Sequence, residues 1–162
     1  MRGGRDGKMD YERLVEENID FVYRAALCYC KNPSDAEDIV QNTFLKLLQS
    51  KQKFQDAEHI RKWLVRVAIN ECKNMWKSYW NRNVVSLDAL EYEGKTKQTV
   101  EQRELLQAVM GLSPKYRIVV HLYYYEGYHV REIADMLHLS ESNVQIRLMR
   151  ARKKLKEYLK EE

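Results

Sequence analysis

Residues 140–159, SESNVQIRLMRARKKLKEYL, read as one helix with two unlike faces. Val144, Leu148, Ala151, Leu155 and Leu159 recur at spacings of three and four, so they form an apolar stripe that needs a core. Gln145, Ile146, Met149 and Arg150 fall on a neighbouring face that the stripe leaves exposed. Arg147, Arg152, Lys153, Lys154, Lys156 and Lys160 surround that face with positive charge. An amide, two apolar side chains and a guanidinium ringed by cations suit the major groove of DNA. Gln pairs with adenine, Arg with guanine, and Ile or Met can touch a thymine methyl. The cations would hold phosphates and release counterions. A solvated basic helix end would carry the same charges, which also favour a helix C-terminus. The preceding segments decide between the two.

With only two prolines and six glycines in 162 residues, and apolar residues recurring at helical rather than alternating spacing, the chain is expected to be all-α. Its length allows one ordinary domain or two small ones. Net charge is a modest +4, so the distribution matters more than the sum. Residues 61–82 carry six Lys/Arg against one acid, and residues 143–160 carry seven against one. Between them, residues 83–104 hold five acids and three bases. Two basic patches flanking an acidic stretch suggest two contacts with one polyanion, most simply nucleic acid.

No apolar run approaches a membrane span and no signal-peptide pattern opens the chain, so a cytoplasmic protein without membrane insertion is expected. Cys28, Cys30 and Cys72 lack metal-ligand spacing, and His59, His121, His129 and His138 do not cluster with them. The expectation is reduced thiols, no metal and no cofactor. Residues 1–9 are expected to be a disordered extension, with Met9 a second candidate start.

A first helix is expected from about Asp10 to Lys31, with Leu14, Ile19, Val22, Ala26 and Tyr29 on its apolar side. Asn32-Pro33-Ser34 is a turn, and Ser34 is the expected N-cap of a second helix reaching about Gln49. Asp35, Glu37 and Asp38 sit in its first turn, where the helix dipole favours them. After a charged loop, a third helix covers about Ala57 to Trp80, with Ile60, Trp63, Leu64, Val67, Ala68, Met75, Trp76 and Tyr79 on a wide apolar face. Periodicity is then lost over residues 81–98, which include Gly94. The first domain is therefore assigned to residues 10–82, a flexible linker to 83–98 and a second domain to 99–162.

In that second domain Val100 to Met110 looks helical, Ser113-Pro114 is a helix start, and Arg117 to Glu126 is expected to form a helix ending at Gly127. Val130 to Leu137 and the helix capped by Ser140, joined by His138-Leu139, form a helix-turn-helix. Ile133, Ala134, Leu137, Leu139 and Val144 supply its shared core. A three-helix bundle that binds no DNA would use the same residues.

Taken together, these blocks resemble the extracytoplasmic-function class of bacterial RNA polymerase sigma factors. SDAEDIVQNTFLKLLQS (34–50) and FQDAEHIRKWLVRVAINECKNMWKSYWNR (54–82) resemble the domain that opens the −10 promoter element. LSPKYRIVVHLYYYEGYHVREIADMLHLSESNVQIRLMRARKKL (112–155) resembles the helix-turn-helix domain that binds the −35 element. The resemblance covers nearly the whole chain from about residue 10.

The resemblance implies that Asp35, Glu37, Asp38, Gln41, Asn42 and Phe44 dock on the largest RNA polymerase subunits, although Phe44 would equally serve a core. It implies −10 contacts from Phe54, Gln55, Asp56, His59, Arg61, Lys62, Arg66, Asn70, Lys73, Asn74 and Lys77. The loop 54–60 would form a pocket for an extruded base, with Asn70 beside it. Strand opening needs aromatic faces and a cationic groove to replace lost stacking. Trp63 lies in the core stripe, while Trp76 and Trp80 fit either role. The −35 contacts would come from Ser142, Asn143, Gln145, Ile146, Arg147, Met149, Arg150 and Lys153, which includes the quartet selected above by helix geometry. Arg147 and Arg152 fit phosphate contacts or salt bridges within the domain. Two departures stand out. His138 occupies a turn position that is often Gly; if that residue is left-handed, His is among the less disfavoured choices. The loop 54–60 lacks the commoner glycine and serine.

No Gly-rich phosphate loop, HExxH or nucleophile elbow is present, so nothing supports an enzyme. The resemblance implies a factor that binds core polymerase and promoter DNA and starts transcription of a stress or envelope regulon, held by an anti-sigma factor anchored in the membrane. One alternative is a helix-turn-helix regulator independent of polymerase, though no phosphoacceptor domain, ligand pocket or dimerisation helix is evident. The other is a module acting mainly by binding an inhibitor protein.

Overall fold

The computed structural model describes residues 3–79 and 99–160, with side-chain environments for residues 10–77 and 99–160. All regular structure among them is helical. Helix α1 spans Gly3–Cys30, α2 Pro33–Gln49 and α3 Ala57–Tyr79. Trp80 and the assigned linker 83–98 lie outside the described residues.

Helix α1 begins at Gly3, so residues 3–9, expected to be disordered, continue the helix. Once the packed turns downstream exist, each added residue costs no new nucleation. At its other end α1 stops one residue before the expected Lys31. Lys31 turns left-handed (φ 57°) and its N–H closes on the Leu27 carbonyl at 2.9 Å. Pro33 disfavours helical geometry at Asn32, which is extended (φ −138°, ψ 114°) and caps α2 in place of Ser34. The Asn32 Oδ1 accepts from the Asp35 N–H at 3.1 Å. With Asn at the cap, Pro33 takes the first helical position, where its missing N–H is no loss.

Helices α1, α2 and α3 enclose a core containing Phe21, Val22, Ala26, Ile39, Phe44, Leu64 and Ala68. Ile19, expected on the apolar side of α1, is instead exposed, and Phe21 and Ala25 take the inward positions. Trp63 packs against this core, as its place in the stripe suggests.

The second unit comprises α4 (Val100–Met110), α5 (Pro114–Val120), α6 (Val130–Leu137) and α7 (Glu141–Lys160). The helix starts at Pro114, as Ser113-Pro114 signals, and the segment expected as regular helix up to Glu126 widens into a π turn over His121–Tyr125. There the Glu126 N–H reaches back five residues to the His121 carbonyl at 3.0 Å. Gly127 ends the segment at φ 75°, a conformation that disfavours side chains.

Between α6 and α7, His138 is left-handed (φ 55°, ψ 45°), and its N–H bonds to the Ala134 carbonyl. The Ser140 hydroxyl accepts from the Asn143 N–H at 3.1 Å, capping α7. Val144, Leu148 and Ala151 are buried, and each large one contributes about 1.5–3 kcal/mol through burial. Leu155 packs on a smaller cluster of Val109, Leu112, Tyr116 and Val120. Leu159 is exposed, so the stripe outlasts the partners that cover it.

The two units are packed on one another, and a single apolar cluster runs through both. At their junction Arg117 is buried, with 1% of its surface exposed. Its guanidinium donates to the carbonyls of Cys28, of Tyr29 at 2.7 Å, of Leu112 at 2.6 Å and, more weakly, of Met110 at 3.4 Å. One cation thus serves the C-terminal carbonyls of α1 and α4 together, where helix dipoles favour positive charge.

Candidate nucleic-acid and polymerase interfaces

The N-terminal half of α7 presents the quartet outward. Gln145, Ile146, Met149 and Arg150 are all exposed, Met149 at 60%, while Leu148 between them is buried. Ser142 and Lys153 are exposed beside them, and Asn143 and Arg147 are half-buried. Arg147 Nε donates to Asn143 Oδ1 at 3.1 Å, a pair one helical turn apart. The Arg150 guanidinium beside the Tyr116 hydroxyl holds that phenol's pKa below the ordinary tyrosine value.

A basic-aromatic patch beside this face was not visible in the sequence. Arg152 Nε donates to the Tyr124 hydroxyl at 2.6 Å and lies 5.6–5.7 Å from the centres of the Tyr123 and Tyr124 rings. Lys154 and Lys115 sit 4.9 and 5.1 Å from the Tyr116 ring centre. Arg152 therefore meets a phenol rather than a carboxylate. The 28 residues between its partners leave no local pattern to read.

On the first unit, the expected −10 residues separate into two groups. Phe54 packs edge-on against His59 and Trp63, with ring centres 5.2 and 5.6 Å apart. Asp56 caps α3 by accepting from the His59 N–H at 2.8 Å, and His59 Nδ1 accepts from the Gln55 N–H at 3.1 Å. The loop is thus pinned by its own side chains. Farther along α3, Asn70, Lys73, Asn74 and Lys77 are exposed along one stripe.

Arg61, Lys62 and Arg66 are not free, contrary to the simplest expectation for a DNA-facing stripe. Arg61 Nε bonds Asn18 Oδ1 at 3.2 Å, and its guanidinium lies 4.9 Å from the centre of the Phe21 ring. Lys62 Nζ lies 3.6 Å from Asp135 Oδ2 on α6. Arg66 Nη2 lies 3.9 Å from Asp135 Oδ1 and donates to the Asp135 carbonyl at 2.8 Å. The second unit therefore covers part of the face assigned to the −10 element.

On α2, Glu37, Asp38, Gln41 and Asn42 are exposed and Asp35 is half-buried. Phe44 is not available for docking: it is 5% exposed, within the core of the first unit. Its next neighbour Leu45 and Leu48 instead present apolar surface on this helix, Leu48 at 59% exposure. One residue is about a 100° rotation around a helix, enough to exchange core for solvent.

Between α1, α4 and the π turn lies a cavity of about 580 Å³, lined by Leu105, Leu106 and Val109 with Arg24, His121 and Glu126. Arg24 Nε donates to Glu126 Oε1 at 2.8 Å, joining the two units. His121 Nε2 lies 3.4 Å from the same oxygen without a well-formed hydrogen bond. Burial alone would raise the Glu126 pKa, but contacts with His121 and Arg24 outweigh it and hold the carboxyl at about 2. Since this is below the unfolded value of about 4.3, its stabilisation is present above that value and lost as pH falls towards 2. In urea melts between pH 5 and 2, wild type is expected to lose more stability than Glu126→Gln; equal losses would contradict this linkage.

Burial pushes the Cys28 thiol up to about 12. No group of three His, Cys, Asp or Glu side chains suited to a metal occurs among the described residues. None of the described helices is long and apolar enough to cross a membrane.

Residues 14–82 match the family model for Sigma-70 region 2, and residues 102–155 match that for Sigma-70, region 4. The RNA polymerase sigma factor SigV of Bacillus subtilis is 27% identical, over 92% of this chain and 90% of that one. The ECF RNA polymerase sigma factor SigL of Mycobacterium tuberculosis is 30% identical, over 91% of this chain and 88% of its own. Among solved structures, CnrH in complex with the cytosolic domain of CnrY is similar, with a TM-score of 0.70 and 25% identity, covering 96% of this chain and 90% of that one. The fold is also that of the sigma factor RpoE solved with the anti-sigma factor NepR from Bartonella quintana, with a TM-score of 0.71 at 19% identity over 93% of this chain and 97% of that one.

Proposed function

Because the chain belongs to the extracytoplasmic-function class of RNA polymerase sigma factors, which recognise promoters, we propose that three faces divide its work. The exposed side of α2 docks on core polymerase through Glu37, Asp38, Gln41 and Asn42, with Leu45 and Leu48 supplying the apolar contact. The α3 stripe of Asn70, Lys73, Asn74 and Lys77, with the loop 54–60 and its aromatic packing, engages the −10 strand during opening. The α7 quartet reads the −35 element in duplex form, while Ser142, Asn143, Arg147 and Lys153 position the backbone.

The observation that carries this division is the quartet itself: four exposed side chains of base-reading chemistry on the second helix of a helix-turn-helix.

One of the similar structures was solved with the anti-sigma factor NepR and the other with the cytosolic domain of CnrY. We infer that this chain too is held by an inhibitor protein, and that the inhibitor is membrane-anchored. The two-unit packing seen here gives such a partner a single closed body to grasp.

The division of labour is tested by variants that should fail at different steps. Leu48→Asp should weaken binding to core polymerase about tenfold or more, since a buried apolar contact becomes a desolvated charge. Asn70→Ala with Asn74→Ala should leave core binding intact and reduce permanganate reactivity of −10 thymines. Gln145→Ala should weaken closed-complex formation without affecting either. If all three variants lose the same step, the faces are not separate.

A further inference from the structure

Asp135 sits on the exposed side of α6, with 62% of its side chain accessible, yet it draws two cations of the other unit onto itself. Lys62 and Arg66 are only 25% and 31% exposed, whereas Lys73 and Lys77 farther along α3 are open. A carboxylate and a phosphate diester present the same ligand to an ammonium or guanidinium group: an anionic oxygen pair. One further detail matters. Arg66 Nε is buried and has no hydrogen-bond partner. The guanidinium fork is therefore only half used, with Nη2 engaged by the Asp135 main chain and Nε left over.

We propose that Asp135 is an intramolecular stand-in for a DNA backbone phosphate, occupying the Lys62–Arg66 site until single-stranded DNA displaces it. This rests on the proposal that α3 engages −10 DNA, extended along the same helix to Lys62 and Arg66. Two long, partly exposed ion contacts are weak and salt-screened. They hold the site without locking it. A phosphate can offer one oxygen to Nη2 and a second to Nε, satisfying the donor that the closed form leaves unpaired, so the exchange favours DNA. The same geometry sets an order. With α6 seated on α3, the α7 quartet remains exposed, so the closed chain can meet the −35 duplex before its −10 site is free.

The test uses the full chain and a fluorescein-labelled single strand of fifteen mixed-sequence nucleotides at low salt. Asp135→Asn should bind about threefold to tenfold more tightly than wild type. Asp20→Asn, the same charge change on the exposed side of α1, should match wild type. In the Asp135→Asn background, adding Lys62→Ala and Arg66→Ala should abolish the gain. If Asp135→Asn binds no better than Asp20→Asn while Lys62→Ala with Arg66→Ala weakens binding, the stand-in is overturned and the −10 reading stands. If the double alanine variant binds as wild type does, the −10 reading fails and the stand-in fails with it.

Discussion

Replacing Arg117 with alanine is expected to cost about 3–5 kcal/mol of folding stability and to loosen the two helical units from each other. The guanidinium is buried, which lowers its pKa from the usual arginine value, and it donates to four carbonyls from two helix ends. Alanine would leave those carbonyls facing a cavity. Water could re-satisfy some of them, which keeps the estimate below the sum of four charged hydrogen bonds at about 1.5–3 kcal/mol each. Arg117→Lys should fall between wild type and alanine, because a single ammonium has the charge but not the planar fork. Urea denaturation measures the loss, and X-ray scattering reads the separation of the units. A loss under about 1 kcal/mol with unchanged scattering would mean that the apolar contacts hold the junction and Arg117 does not.

Arg150→Ala is expected to have the largest effect on promoter choice. A bidentate arginine–guanine pair is worth about 1–3 kcal/mol of discrimination, or roughly five- to 150-fold in relative affinity. Competition binding with a library randomised at the −35 element distinguishes the roles. A base reader loses preference at one position, whereas a phosphate contact weakens every sequence alike and lowers the salt slope.

Features carried by neighbouring residues were legible in the sequence. The bounds of α4 and α6, the Ser140 cap and the exposure of the α7 quartet follow from periodicity and turn chemistry. What was not legible depends on partners far along the chain. Arg117 carries no local signal beyond its place near a helix start, and only contacts 88 and 89 residues back along the chain, on α1, give it its role. Asp135 likewise gave no sign that it would meet Lys62 and Arg66, 69 residues from the latter.

Smaller misreadings were choices between adjacent options. Asn32 outcompeted Ser34 as a cap because Pro33 fits the first helical position. Phe44 went inward and Leu45 outward, since a two-sided apolar helix does not by itself declare which side meets the core. The π turn at His121–Tyr125 keeps side-chain spacing so close to helical that the pattern concealed it.

The most direct measurement is sequencing of transcripts made in vitro when this chain is added to core RNA polymerase on fragments of its own genome. The expected result is a set of new start sites preceded by two shared motifs at constant spacing, with Arg150→Ala altering only the upstream motif. Start sites no different from those of core polymerase alone, after the chain has been shown to bind it, would contradict the assignment of α3 and α7 as promoter readers.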